Sequence, residues 1–252
     1  MVTIPAGAFW MGSTQEERAL AYALDLARGS TAARDYAWFE NETRRRVHLA
    51  AFRIDRTPVT QADYARFVAA TGHPVPTVRA AEWQGYGLVH PYATALRFVW
   101  RDGRPPPGRA DHPVVLVTHA DAVAYCRWRG ARLPTEAEWE KAARGTDGRY
   151  WPWGNRFDPV RLNSRDAGPF ETEPVGSRPA GASPWGVLDM AGQVFEWTAT
   201  PCPDRDGAWI VKGGSWDDFP GVTRGAARHC RPAGLKHVLI GFRCAADATP
   251  RP

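Results

Sequence analysis

The spacing of apolar residues changes several times along the chain, and each change marks an element. Residues 2–12 carry Pro5, Gly7 and Gly12 and read as an extended start ending in a turn. In TQEERALAYALDLAR, residues 14–28, Ala19, Tyr22, Ala23 and Leu26 recur at the i, i+3, i+4, i+7 spacing of one helix face. Residues 47–55, VHLAAFRID, predict a strand with Val47, Leu49 and Phe52 apolar. Three further helices carry their own boundaries. One starts at Thr60, puts Tyr64, Phe67 and Val68 on one face and stops at Gly72. Another runs from Thr118 to a stop at Gly130. In the third, Thr135 and Glu138 form a Thr-x-x-Glu capping box, Trp139, Ala142 and Ala143 face inward, and Gly145 ends the helix. Glu138 is explained by capping, and Glu136 and Glu140 read as solvated.

Between these elements the periodicity is lost. Residues 74–113 and 146–185 are rich in Pro, Gly, Arg and aromatic residues and predict long ordered loops, which in a compact domain are usually functional or stapled. The 24 glycines and 22 prolines fit that picture, and twelve tryptophans supply bulk for a core. At 252 residues, with neither repeats nor a linker, the chain reads as one large irregular domain spanning 1–252. Its formal net charge is only +5. The one dense basic run, Arg44-Arg45-Arg46, stands without a nucleic-acid-binding motif, so it reads as a solvated face and no nucleic-acid partner is expected. No apolar run is long enough to span a membrane, and the N-terminus shows no leader pattern, which leaves the compartment open. The four cysteines, Cys126, Cys202, Cys230 and Cys244, include no C-x-x-C pair. A zinc site built from local ligands is therefore not expected, and two disulfides of open connectivity are arithmetically allowed. Protease, hydrolase, Walker and Rossmann signatures are missing from the sequence.

Several segments occur in a telling order: IPAGAFWMGS, FRIDRTPVTQADYARFV, YCRWRGARLPTEAEWEKAARG, WPWGN, EPVGSRP, WGVLDMAGQVFEWT, KGGSW and IGFRCA. Together they resemble the sulfatase-modifying-factor family, that of the formylglycine-generating enzymes, over residues 3–247. The resemblance implies an α+β fold: a single loop-rich domain related to the C-type lectin fold. It also implies a structural cysteine pair, Cys126 with Cys244. For cofactors it implies calcium, at one site through Gln193, Val194 and Glu196 and at a second through Asn163, the Ser164 carbonyl and Asp166. Oxygen ligands from loops suit that ion, although Gln193 stands where the family has Asn.

Copper is not expected. Generating enzymes of the family hold copper(I) between two cysteines shortly after the Gly-Gly-Ser-aromatic motif. Here residues 217–223 read Asp-Asp-Phe-Pro-Gly-Val-Thr, and carboxylates are poor ligands for a soft ion. His229, Cys230 and His237 read as loop residues rather than as a metal cluster. Residues 213–244 are expected to form a C-terminal ligand-contact segment, with Trp216, Asp217, Phe219, Val222, His229, Leu235, His237 and Leu239 touching an unknown protein or small ligand. The stretch resembles the variable segments of diversity-generating retroelement proteins. The function expected is non-catalytic binding. The alternative is an oxidative enzyme without the copper pair, using Asp217, Asp218, Arg228, His229 and Cys230 for acid–base work; an accessory subunit is the blandest reading.

Overall fold

A computed structural model describes residues 1–248. The start is extended as expected: β1 (Val2–Ile4) and β2 (Gly7–Met11), with Gly12 turning at φ 79°. The predicted strand over 47–55 is two strands, β3 (Arg45–Leu49) and β4 (Phe52–Ile54). The apolar period slips by one at Ala50-Ala51: Val47 and Leu49 point one way, Phe52 and Ile54 the other, so the chain changes sheets there. β3 pairs with β2, whereas β4 sits between β1 and β9 (Ala245–Asp247), all antiparallel. A four-stranded sheet of order β7-β6-β5-β8 carries the C-terminal half: β5 (Phe195–Pro201), β6 (Ala208–Lys212), β7 (Arg228–Pro232) and β8 (Ile240–Gly241).

The capped helices form where their signals stand. They are α3 (Gln61–Thr71), α6 (His119–Trp128) and α7 (Glu136–Arg144), each opened by a capping box at Thr60, Thr118 and Thr135. Between them, 74–113 contains only the short α4 (Ala80–Gly85) and α5 (Tyr92–Ala95), and 146–185 only two 3-10 turns. Near the N-terminus, α1 (Gln15–Leu26) forms as predicted but turns the other way, and α2 (Ala32–Asp35) follows it. Ala19, Ala23 and Leu26 face solvent, and α1 buries Glu17, Ala21 and Asp25. A polar interior overrides the apolar face.

That interior is a buried ion network. Arg144 pairs with Glu17 at 2.9 Å and Glu140 at 2.8 Å; Lys212 pairs with Glu140 at 2.9 Å; Arg224 pairs with Glu17 at 3.0 Å and Glu42 at 2.9 Å. Glu140 also accepts the Gly12 amide, and Glu136 lies 3.0 Å from Arg228. The solvated reading of Glu136 and Glu140 is therefore corrected. Both point inward because α7 packs against β2, β5 and β6, which leaves its acidic face no water to meet. The Arg44–Arg46 run does lie on the surface.

Two disulfides staple the fold. Cys126 on α6 joins Cys244 beside β9, as expected, and Cys202 joins Cys230 across the four-stranded sheet. The loops they close span sequence separations of 118 and 28 residues. In the chain-entropy view such loops are worth about 4–5 and about 3–4 kcal/mol.

Candidate functional site

The segment from Gly213 to Cys244 threads under the helices more than it covers the surface. Trp216, Val222, His229, Leu235 and His237 are buried, whereas Asp217, Phe219 and Leu239 are partly exposed. Val222 and Leu235 belong to the main core with Phe39, Trp197 and Phe242, so they are not ligand contacts. Leu239 packs on the same core, and its amide is bonded by His237 Nδ1 at 2.9 Å. The burial has a local cause. Gly221 gives its amide to Asp25 at 2.7 Å, and a Cβ there would lie 2.6 Å from that carboxylate and 2.8 Å from the Phe39 ring. Arg224 then locks the next turn into the ion network. Burial pushes the Asp25 carboxyl up to about 6.

The partly exposed side chains of this segment lie beside the loop carrying His90 and the loop carrying Arg165 and Phe170, and with the partly exposed Arg231 of β7 they define the candidate cleft. Asp217 binds Arg165 at 2.6 Å and His90 at 2.9 Å at one edge. The Arg165 guanidinium lies over the Phe219 ring at 5.1 Å and the Phe170 ring at 5.3 Å, and Phe170 meets Trp216 edge to face. Asp218 accepts the Ser215 hydroxyl, and burial pushes its carboxyl up to about 6 despite that bond. Among the described residues the Arg231 side chain donates only to the Cys230 carbonyl, and burial lowers its pKa. His229 and His237 are held neutral, burial depressing each to about 3, with the nearby Arg231 charge acting in the same direction. His229 is clamped edge-on between Trp38 and Phe195. Two buried nitrogens, His229 Nε2 and Trp216 Nε1, have no hydrogen-bond partner among the described residues.

The structure thus links Trp216, Asp217, Phe219 and His237 through His90, Arg165 and Phe170, packs His229 against Trp38 and Phe195, and adds residues that sequence reasoning missed as ligand contacts: His90, Arg165, Phe170 and Arg231. Their loops carry no periodicity, and only tertiary packing brings them in. Asp218, proposed above only for acid–base work, is partly exposed beside Asp217 and accepts the Ser215 hydroxyl. Cys230 is removed from any metal or catalytic role by its bond to Cys202, and Arg228 lies 3.0 Å from the Glu136 carboxylate. No thiol remains among the described residues.

The family model for the sulfatase-modifying factor enzyme 1-like domain matches residues 1–248. The chain belongs to this family. It is 36% identical over 256 residues to the formylglycine-generating enzyme of Streptomyces coelicolor, with 80% of each chain covered. It is 33% identical to the hercynine oxygenase of Mycolicibacterium smegmatis, over 80% of this chain and 54% of that longer protein. Among solved structures, Treponema denticola variable protein 1 shares the fold at a TM-score of 0.69 and 19% identity, covering 98% of this chain and 94% of that one. The fold is thus the α+β, loop-rich domain of this family.

The family's calcium can be weighed residue by residue. Gln193 takes its amide bonds within the protein, accepting from Asn163 and Glu173 and donating to the Glu173 carbonyl. The Glu196 carboxylate receives two bonds from Arg243 and one from Trp139, each at 2.7 Å. Engaged in this way, Gln193 and Glu196 do not suit a cation site. At the other corner Asp166 is paired with Arg28 and the Ser164 carbonyl accepts the Gly168 amide at 2.8 Å, but Asn163 Oδ1 and Ser164 Oγ are buried without partners among the described residues. Two free oxygens fit part of the six-to-eight oxygen shell that calcium takes.

Proposed function

We propose that the chain is a non-catalytic binding module of the sulfatase-modifying-factor family that takes a small polar ligand into the cleft walled by Trp216, Asp218, Phe219, His229 and Arg231. The observation that carries this reading is the state of the cysteines. All four are in disulfides, and Asp218 and Thr223 lie in the stretch after Gly-Gly-Ser-Trp where the generating enzymes place their copper ligands. Without a thiolate the chain lacks the soft donor that copper(I) chemistry needs. The ligand meets a recessed wall rather than an open display surface, so variation between copies is tolerable at Asp217, Phe219 and Arg231 and costly at the core positions Val222 and Leu235.

Calcium belongs to this reading as a loop staple at Asn163 and Ser164 alone, distant from any chemistry. Chelation then lowers the melting temperature, and Asn163→Ala removes that sensitivity; unchanged melting on chelation would discard the ion.

Oxygen uptake tests the function. The purified chain, supplied with copper(I) and a cysteine-containing peptide, is expected to consume no oxygen above the peptide-plus-copper control. Uptake above that control, lost in Asp218→Asn, would instead support the oxidative reading, in which Asp218 acts as an acid–base group with a pKa near the working range.

A further inference from the structure

The loop over 74–113 ends in a stretch, residues 96–109, that the candidate cleft does not use. It folds around an open pocket of about 700 Å³, a size that suits a small ligand. Leu96, Val99 and the prolines at 105, 106 and 107 supply its apolar lining. A proline has no N–H, so this part of the wall offers a ligand apolar contact and few donors. The rest of the lining is charged: Arg97, Arg101, Arg104 and Arg109, with Asp102 the one carboxylate among the lining residues.

The arginines divide into two pairs. Arg97 and Arg109 share the Glu171 carboxylate, Arg97 at 2.5 Å, and their guanidiniums lie over the buried Phe98 ring at 5.5 and 5.0 Å. Arg101 and Arg104 have no such partner. Asp102 and Gly103 take φ values of 49° and 72°, which closes a two-residue hairpin turn, and the backbones of Arg101 and Arg104 bond each other both ways at 3.1 and 2.9 Å. Residues opposed in this way carry their side chains on one face, with Cβ atoms about 5 Å apart. The backbone thus holds two like charges side by side, an unfavourable pairing unless an anion joins them. Both side chains are exposed, and among the described residues neither makes a hydrogen bond or ion pair, to Asp102 or to any other group.

We propose that this pocket binds a small amphipathic carboxylate, its head on Arg101 and Arg104 and its apolar body along Leu96, Val99 and the prolines. Charge complementarity selects the head: four arginines meet only two carboxylates, Asp102 and Glu171, so the site attracts an anion and repels a cation. The planar guanidinium fork matches a carboxylate. The apolar lining selects the body, since a purely polar anion would leave it in contact with water. The pocket shares no lining residue with the candidate cleft, and the inference does not rest on the binding-module reading.

The test is a heteronuclear NMR titration of the full chain at about pH 7.5, where a carboxylic acid is ionised. The probes are octanoate, 1-octanol (the same body without charge) and acetate (the head without the body). Octanoate should shift the amides of Val99, Arg101 and Gly103 with a dissociation constant of about 1 mM or tighter. Octanol and acetate should each bind about fivefold or more weakly. Arg101→Gln combined with Arg104→Gln should erase the preference for octanoate over octanol, whereas Lys at both positions, which keeps the charge, should retain most of it. Both residues are exposed, so these variants should fold, and unchanged signals away from the pocket verify that. Arg46→Gln, in the other basic stretch, should leave binding unchanged. The inference is overturned by the absence of shifts at those three amides up to about 20 mM octanoate. It is equally overturned if octanol or acetate binds as well as octanoate, or if the preference survives the double glutamine variant.

Discussion

Replacing Arg224 by Met tests whether the middle of the Gly213–Cys244 segment is core. Arg224 is fully buried. It bonds Glu42 at 2.9 and 3.0 Å, Glu17 at 3.0 Å and the Gly221 carbonyl at 2.9 Å, and its guanidinium lies over Phe39. Glu17 would keep Arg144, but among the described residues the Glu42 carboxylate has no second cation. Methionine preserves much of the side-chain volume, so the cost is chiefly electrostatic: an uncompensated buried carboxylate, about 3–5 kcal/mol. That is a large part of an ordinary domain's stability. Urea unfolding followed by tryptophan fluorescence measures it. Two signatures separate this account from a packing defect. The loss should shrink as pH falls towards about 5, because a buried carboxylate without its cation takes up a proton. Adding Glu42→Gln should recover at least half of it, since both charges then leave together. A loss below about 1 kcal/mol, or one equal at about pH 5 and about pH 8, would refute the reasoning.

Three further outcomes follow from the same structure. Replacing Cys126 and Cys244 together by Ala should lower stability by about 4–5 kcal/mol, and the Cys202–Cys230 double replacement by about 3–4 kcal/mol; thermal unfolding should therefore rank the two variants in that order. Asp218→Asn should stabilise the chain at about pH 8 by about 1–3 kcal/mol. The folded pKa of about 6 exceeds the ordinary 3.8, so the ionised parent carries a penalty that disappears as pH falls through 6 towards 4, and the two proteins should then converge. For His229 and His237 the sign is opposite. Their folded values near 3 lie below 6.5, so the stability they contribute is present above about 6.5 and drains away as pH falls towards 3. His237→Gln should flatten that acid limb in equilibrium unfolding.

The capped helices were legible because their signals are local: a hydroxyl at the start, an acid three residues on, a glycine at the stop. The cysteine pair at Cys126 and Cys244 was legible through the family resemblance. The α1 face was not, because Glu17 and Asp25 turn inward only to meet Arg144, Arg224 and the Gly221 amide, partners more than a hundred residues away. The same holds for Glu140, whose acidic neighbours looked solvated until Lys212 and Gly12 closed over it. In the cleft, Trp216, Asp217 and Phe219 could be read from their position after Gly-Gly-Ser. His90, Arg165 and Arg231 arrive from loops and a strand that no periodicity links to that motif. Burial of Val222 and Leu235 was invisible for a related reason: a segment rich in Gly and Pro looks like surface until other elements cover it.

The most direct measurement is an anaerobic competition for copper(I) between the untreated, unreduced protein and a chromophoric chelator. With all four cysteines in disulfides, the chain should leave the copper on the chelator at every protein concentration. Transfer of one equivalent to the protein would mean that a thiolate pair exists after all, and would contradict the account of the cleft as a binding site without copper chemistry.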